Sequence, residues 1–144
     1  MISLRRVVAE DIRMIFEWRN HPLIRSRMFD SSELKLENHV AYWQKKLADP
    51  YFYSFIISSG GQEVGFAKLE KMEDGYDVGI FINPSKQKKG MGTEAISAII
   101  AEARKIGIKK LIARIKPDNV ASQKIFEKNK FVAVYQQYEL DLGS

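Results

Sequence analysis

Apolar positions along this chain follow two rhythms, helical near the amino terminus and alternating from Tyr51 onward. Ser3 to Val8 reads as a short strand. Ile12, Ile15 and Phe16 then recur on one helical face, with Arg19 next in the same register. Glu10 and Asp11 stand before them, where acidic side chains complement a helix dipole. A second stripe, Leu36, Val40, Trp43 and Leu47, predicts another helix, with Ser31 and Ser32 as cap candidates and Asp49-Pro50 as its stop. Three extended runs follow: Tyr51 to Ser58, Gln62 to Lys71 and Tyr76 to Asn83. They are joined at Gly60-Gly61 and Glu73-Asp74-Gly75, and the last stops at Pro84. Ile96, Ile99, Ile100 and Ala103 mark a helix over Met91 to Ile106, closed by Gly107. Lys109 to Lys116 reads as a strand, Asn119 to Asn129 as a helix, and Phe131 to Asp141 as one or two closing strands. The order β-α-α-β-β-β-α-β-α-β(-β) predicts one α/β (α+β) domain over residues 1–144, a mixed sheet with helices on both faces.

Composition narrows the chemistry. The chain has 144 residues, 45% of them apolar, and no apolar run approaches the length needed to cross a bilayer. The charged start, Met1 to Arg6, lacks the apolar core of a signal peptide, so a soluble cytoplasmic protein is expected. With no cysteine and only two histidines, thiolate chemistry is excluded and no metal is expected. The net charge of +5 is concentrated between Lys86 and Lys116, where only Glu94 and Glu102 oppose the lysines and arginines. Such a stretch favours an anionic partner. A nucleic-acid-binding module is one reading, but the lysines lack the interleaved aromatics that base stacking uses.

One segment carries more information than the rest. A strand ends at Pro84, a basic loop containing Gln87, Lys88 and Lys89 follows, and a helix begins through Gly90, Met91, Gly92 and Thr93. Glycines let backbone N–H groups approach a ligand closely, and the first N–H groups of a helix have no partner within it. The lysines add charge and Thr93 a hydroxyl. The segment resembles the acetyl-CoA motif of the GNAT acetyltransferase superfamily, Arg/Gln-x-x-Gly-x-Gly/Ala, matching at Gln87, Gly90 and Gly92. A second segment, Asn119 to Phe131, is similar to that superfamily's Asn-x-x-Ala-x-x-Leu/Phe-Tyr-x-x-x-Gly-Phe. Asn119, Ile125 and Phe131 fit, while Ser122, Phe126 and Lys130 depart from it. Read from the chain alone, Asn119 is also a plain helix cap.

This resemblance implies a mostly antiparallel sheet of six to seven strands with two splayed central strands. Pantetheine would lie in the gap, bonded to the backbone of Phe81, Ile82 and Asn83, with Phe126 packed beside it. Acetyl would pass directly from acetyl-CoA to an amine. Alternation along Tyr76 to Asn83 places Asp77, Gly79 and Phe81 on one face, making Asp77 the candidate base and Glu70 the second. Gly79 would leave room for a substrate. The superfamily's proton-donating tyrosine falls on Phe126, so Ser122, Tyr135, Tyr138 or water would serve instead. A catalytically inactive acyl-CoA sensor is a further reading of that change.

At the acceptor end, Trp18-Arg19-Asn20-His21-Pro22 resembles the start of a GNAT branch that acetylates ribosomal proteins and nucleotide sugars. With His39 on the second helix, it looks most like the UDP-amino-sugar N-acetyltransferases of pseudaminic acid biosynthesis. That resemblance implies Arg19, Asn20, His39 and Asp77 at a UDP-amino sugar, with Arg19 and His39 on its diphosphate. From the stripe alone, His39 reads equally as a core histidine. A protein amino terminus or another small amine is the alternative acceptor, and a homodimer remains open.

Overall fold

The computed structural model describes residues 1–143. The elements are β1 (Ile2–Arg6), α1 (Ile12–Arg19), α2 (Pro22–Arg25), α3 (Leu36–Leu47), β2 (Phe52–Ser59), β3 (Gln62–Met72), β4 (Gly75–Ile82), α4 (Met91–Ile106), β5 (Leu111–Ile112) and α5 (Val120–Lys128). Among the described residues they form one five-stranded sheet in sequential order. β1 to β4 pair antiparallel, and β5 joins β4 in parallel, as a helical crossover requires.

Each sheet face has its own core. Phe55, Ile57, Leu69, Val78 and Ile82 pack beneath α4 residues Ala95, Ile96, Ile99 and Ala103, with Phe126 of α5. On the opposite face Phe52, Ile56, Phe66 and Phe81 meet Ile15, Ile24 and Trp43 from α1 to α3. The period-2 alternation of the strands sorts neighbouring residues between the two cores.

The amino-terminal acids act differently from a simple dipole partner. Ala9–Asp11 forms a 3₁₀ turn ahead of α1. The nearly buried Asp11 carboxylate accepts from both Arg5 terminal nitrogens, at 2.8 and 2.7 Å, and from the Val8 N–H. Arg5 thereby ties β1 to the helix and holds Asp11 below the usual carboxylate range.

Three expectations are corrected. Ser31 and Ser32 do not cap α3, because Ser32 bonds to Asp30 through its N–H and hydroxyl and the helix opens after Lys35. The strand expected over Lys109 to Lys116 shortens to Leu111–Ile112, since it pairs with β4 only at Tyr76 and Asp77 before the strands diverge. Phe131 to Asp141 forms no strand, so the sheet has five strands among the described residues, not six or seven. A strand needs a neighbour about 4.8 Å away, and this segment has none.

Candidate functional site

Divergence of β4 and β5 opens the sheet where chemistry is expected. The Tyr76 N–H donates to Lys110 O at 2.9 Å, across to β5, whereas the Asn83 N–H donates to Val64 O at 2.7 Å, toward β3. Alternation therefore turns the backbone groups of Ile80 and Ile82 to the open edge and those of Phe81 and Asn83 toward β3. Asn83 is doubly committed, since its carbonyl accepts from the Lys86 N–H. Of the three residues expected to bond pantetheine through the backbone, only Ile82 faces the gap, and Ile80 joins it.

At the carboxyl end of β4 the chain turns into α4. Gly90 has φ of 82°, a left-handed conformation natural to glycine. The first helical bond runs from the Glu94 N–H to Gly90 O, leaving the Gly92 and Thr93 N–H groups without helical acceptors. Gly92 is needed for a second reason: a Cβ there would lie 2.7 Å from Ile125 Cδ1 on α5. Around this turn lies a depression of about 370 Å³, lined by Gln87, Lys88, Lys89, Gly90, Gly92 and Thr93. Lys124 and Lys128 of α5 complete its rim. These two were missed in the sequence, although their i, i+4 spacing would have put them on one helix face. Met91 is buried in the core instead. Free N–H groups, two glycines and four lysines suit an anionic diphosphate, the charge class of coenzyme A.

The depression adjoins a cleft of about 260 Å³ that follows the gap between β4 and residues 113–116. Ser122 and Phe126 line it with Asn119, whose side chain caps α5 by accepting from the Ser122 N–H at 3.2 Å. Phe126 is buried edge-on against Phe131, with centroids 5.0 Å apart. Tyr135 and Tyr138 lie outside the cleft and are strongly exposed. Asp77 also lines the cleft, almost buried, with Oδ1 accepting from Arg114 Nε at 3.2 Å. Gly79 does not leave open space beside it, because the Lys68 stem packs 3.1 Å from where a Cβ would stand. Glu70 is engaged by Lys46 and by Lys68. Burial pushes its carboxyl up, but the two ammonium groups hold it on balance below the usual range.

The acceptor-end residues separate. Arg19 lines the cleft, and its buried Nε has no hydrogen-bond partner among the described residues. Burial pushes this guanidinium below its ordinary value, against the pull of Tyr42 and Asp30. Arg27, Lys68, Arg114 and Lys116 line the same cleft. Asn20 turns away from it: its amide donates to Leu34 O at 3.1 Å and accepts from Leu34 N–H at 2.7 Å, pinning the loop before α3. His39 is a core residue, 5% exposed, bonded through Nε2 to Ile12 O at 2.9 Å and packed between Phe16 and Trp43. Among the described residues no cluster of three or more His, Cys, Asp or Glu could hold a metal, and no helix is long and apolar enough to cross a membrane.

Comparison with known proteins places this geometry. Residues 2–132 match the model of the acetyltransferase (GNAT) domain. The uncharacterized protein MJ1062 of Methanocaldococcus jannaschii is 27% identical over 130 residues, which are 88% of this chain but only 27% of that protein. Acetyltransferase PseH of Campylobacter jejuni is 26% identical over 91% of this chain and 85% of its own length. Among solved structures, a domain from M. jannaschii superimposes with a TM-score of 0.83 at 27% identity, covering 96% of this chain and 93% of its own. A spermidine N-acetyltransferase from Vibrio cholerae, in complex with CoA and spermine, shares the fold with a TM-score of 0.81 at 20% identity, over 91% of this chain and 80% of its own. With the domain model matching nearly its whole length, the chain belongs to the GNAT acetyltransferase family.

Proposed function

We propose that the chain transfers acetyl from acetyl-CoA directly to the amino group of a UDP-linked amino sugar. Acetyl-CoA supplies the activated acyl carbon. The α4 turn and its lysines hold the diphosphate, and the open backbone groups of Ile80 and Ile82 take the pantetheine arm. Asp77 accepts the proton that an ammonium must lose before its nitrogen attacks. That nitrogen bonds the acyl carbon as the carbon–sulfur bond breaks. The sulfur leaves as a thiolate and takes up, by way of Ser122 or water, the second proton that the nitrogen sheds on becoming an amide, with no covalent bond to the enzyme at any stage.

Arg19 carries the choice of acceptor. A buried guanidinium nitrogen without a partner is costly, so a residue held this way in a cleft is suited to an anionic ligand. The surrounding Arg27, Lys68, Arg114 and Lys116 make the same cleft repel a polyamine. Likeness to PseH supports the nucleotide-sugar reading. His39 and Asn20 are left out of the contact, one bonded to Ile12 and the other to Leu34.

An initial-rate assay with a panel of amines tests this. UDP should compete with a UDP-amino-sugar acceptor and leave the acetyl-CoA dependence unchanged. Acetylation of spermidine or of a peptide amino terminus, without inhibition by millimolar UDP, would overturn the proposal.

A further inference from the structure

We propose that Lys68 reads the charge of the acceptor: its ammonium leaves Glu70 to meet an anionic group on the incoming ligand, and Glu70 sets how readily it does so. Given the acceptor reading of the β4 cleft, on which the proposal rests, Lys68 becomes a specificity-determining residue of that cleft. Lys68 and Glu70 stand two apart on β3 and share a face. Their partners across the ladder are Gly79 and Asp77 of β4. With no side chain at Gly79, the Lys68 stem lies across β4, so close that a Cβ at Gly79 would stand 3.1 Å from both its Cγ and its Cε. The glycine therefore makes room for Lys68, and the ammonium reaches the row in which Glu70 faces Asp77.

The ammonium is held loosely there. Lys68 Nζ donates to Glu70 Oε1 at 3.3 Å, longer than a well-formed charged pair. The other oxygen, Oε2, is gripped by Lys46, whose Nζ also lies 5.6 and 5.4 Å from the Tyr42 and Phe52 ring centroids. Glu70 thus keeps a cation when Lys68 departs, and no carboxylate is left unpaired.

The other cations of the cleft are more committed or less enclosed. Arg114 donates to Asp77 and lies over the Phe29 ring, its guanidinium carbon 5.9 Å from the centroid. Lys116 donates to Ser26 O at 3.2 Å, and Arg27 is exposed to water, where screening weakens it. Lys68 is half-buried, so among the described residues of the cleft it joins Arg19 as a cation both available and little screened. An ammonium at this place favours a phosphate or carboxylate on the acceptor and repels a second ammonium. The cleft therefore selects amines that carry an anion over polyamines.

Isothermal titration with inorganic pyrophosphate tests this, on protein already saturated with coenzyme A so that the α4 turn is filled. Lys68→Met should weaken pyrophosphate at least about tenfold, the loss of a charge-assisted hydrogen bond. Glu70→Gln should tighten it about two- to fivefold by releasing Lys68, the worth of a part-exposed ion pair, a gain that a merely structural Glu70 would not give. In the Lys68→Met background the same substitution should do nothing. Should Lys68→Met fail to fold, Lys68→Gln, which can still bond Glu70, takes its place. Absence of pyrophosphate binding, indifference to Lys68, or a gain from Glu70→Gln that survives the loss of Lys68 overturns the proposal. UDP bound through Arg19 but indifferent to Lys68→Met would also overturn it, while leaving the nucleotide-sugar acceptor standing. Pyrophosphate answering to Lys68 while UDP fails to bind would uphold Lys68 and remove the nucleotide sugar.

Discussion

The two ends of the cleft are built in opposite ways. At the proposed donor end most of the groups on offer are backbone, with lysines around the rim. Gly90 supplies a left-handed turn, Gly92 lets α4 approach Ile125, and the helix presents N–H groups that need no side chain. At the proposed acceptor end the groups on offer are side chains, gathered from α1, the loop after α2, β3, β4 and the segment after β5. A backbone site is fixed by its local sequence and tolerates no added bulk. A side-chain site is fixed by tertiary packing, and single substitutions retune it without destroying it.

The most severe test of this contrast is Gly92→Asp, which puts both a side chain and a negative charge into the diphosphate turn. Acetyl-CoA should raise the melting temperature of the wild type, and this variant should show no rise at millimolar ligand. Gly92→Ala sharpens the point. Its methyl group meets only the end of Ile125, so pairing it with Ile125→Val should restore most of the affinity lost. Failure of the paired variant would mean that α5 packing is not what limits this position.

Next in size is Asp77→Asn. Loss of the base should lower kcat about 10²–10⁴-fold with the acetyl-CoA affinity nearly unchanged. A fall confined to melting temperature, with kcat kept, would make Asp77 a structural partner of Arg114 instead.

These outcomes bear on how much could be read beforehand. The glycine turn, the helix it opens, the Asn119 cap and the face of β4 that carries Asp77 were all legible, because each depends on neighbours in sequence. Three features were not. Asn20 was expected at the substrate, but its bonds to Leu34 lie fourteen residues away, and no local rule announces them. His39 and Arg19 both stand by the core stripes of their helices, and periodicity cannot say which turns inward to Ile12 and which to the cleft. The register of backbone groups along β4, which favours Ile80 over Phe81, depends on which residue pairs with Val64. The closing strands failed for another reason: their pattern is present, but a strand also requires a partner edge.

Arg19 gives a smaller but two-sided effect. Arg19→Met removes a half-buried charge whose Nε has no partner among the described residues, so the unliganded protein should melt at a higher temperature. The same change should raise the acceptor KM roughly tenfold to a hundredfold, the value of a charge-assisted hydrogen bond of about 1.5–3 kcal/mol. A variant that lost stability along with acceptor affinity would show that Arg19 serves the fold.

The smallest effect belongs to His39, which sits among core groups rather than at the ligand. Burial pushes its ring below the ordinary value of 6.5, with Arg19 adding to the shift. The unfolded chain therefore takes up a proton before the folded one does. Stability is full above about 6.5 and falls as the pH drops from there toward the lower folded value. Thermal melts between pH 8 and pH 5 should show this loss, and His39→Gln, which can still donate to Ile12 O, should flatten it. Asp11 and Glu70 contribute in a separate, more acidic window, because both carboxyls are held below their usual range.

The division of labour between the two ends is tested most directly by isothermal titration of one sample with acetyl-CoA and then with UDP. Both should bind, each with nearly the same affinity whether or not the other is present, and Arg19→Ala should weaken UDP at least tenfold while leaving acetyl-CoA unchanged. Displacement of acetyl-CoA by UDP, or UDP binding indifferent to Arg19→Ala, would contradict an acceptor site distinct from the α4 turn.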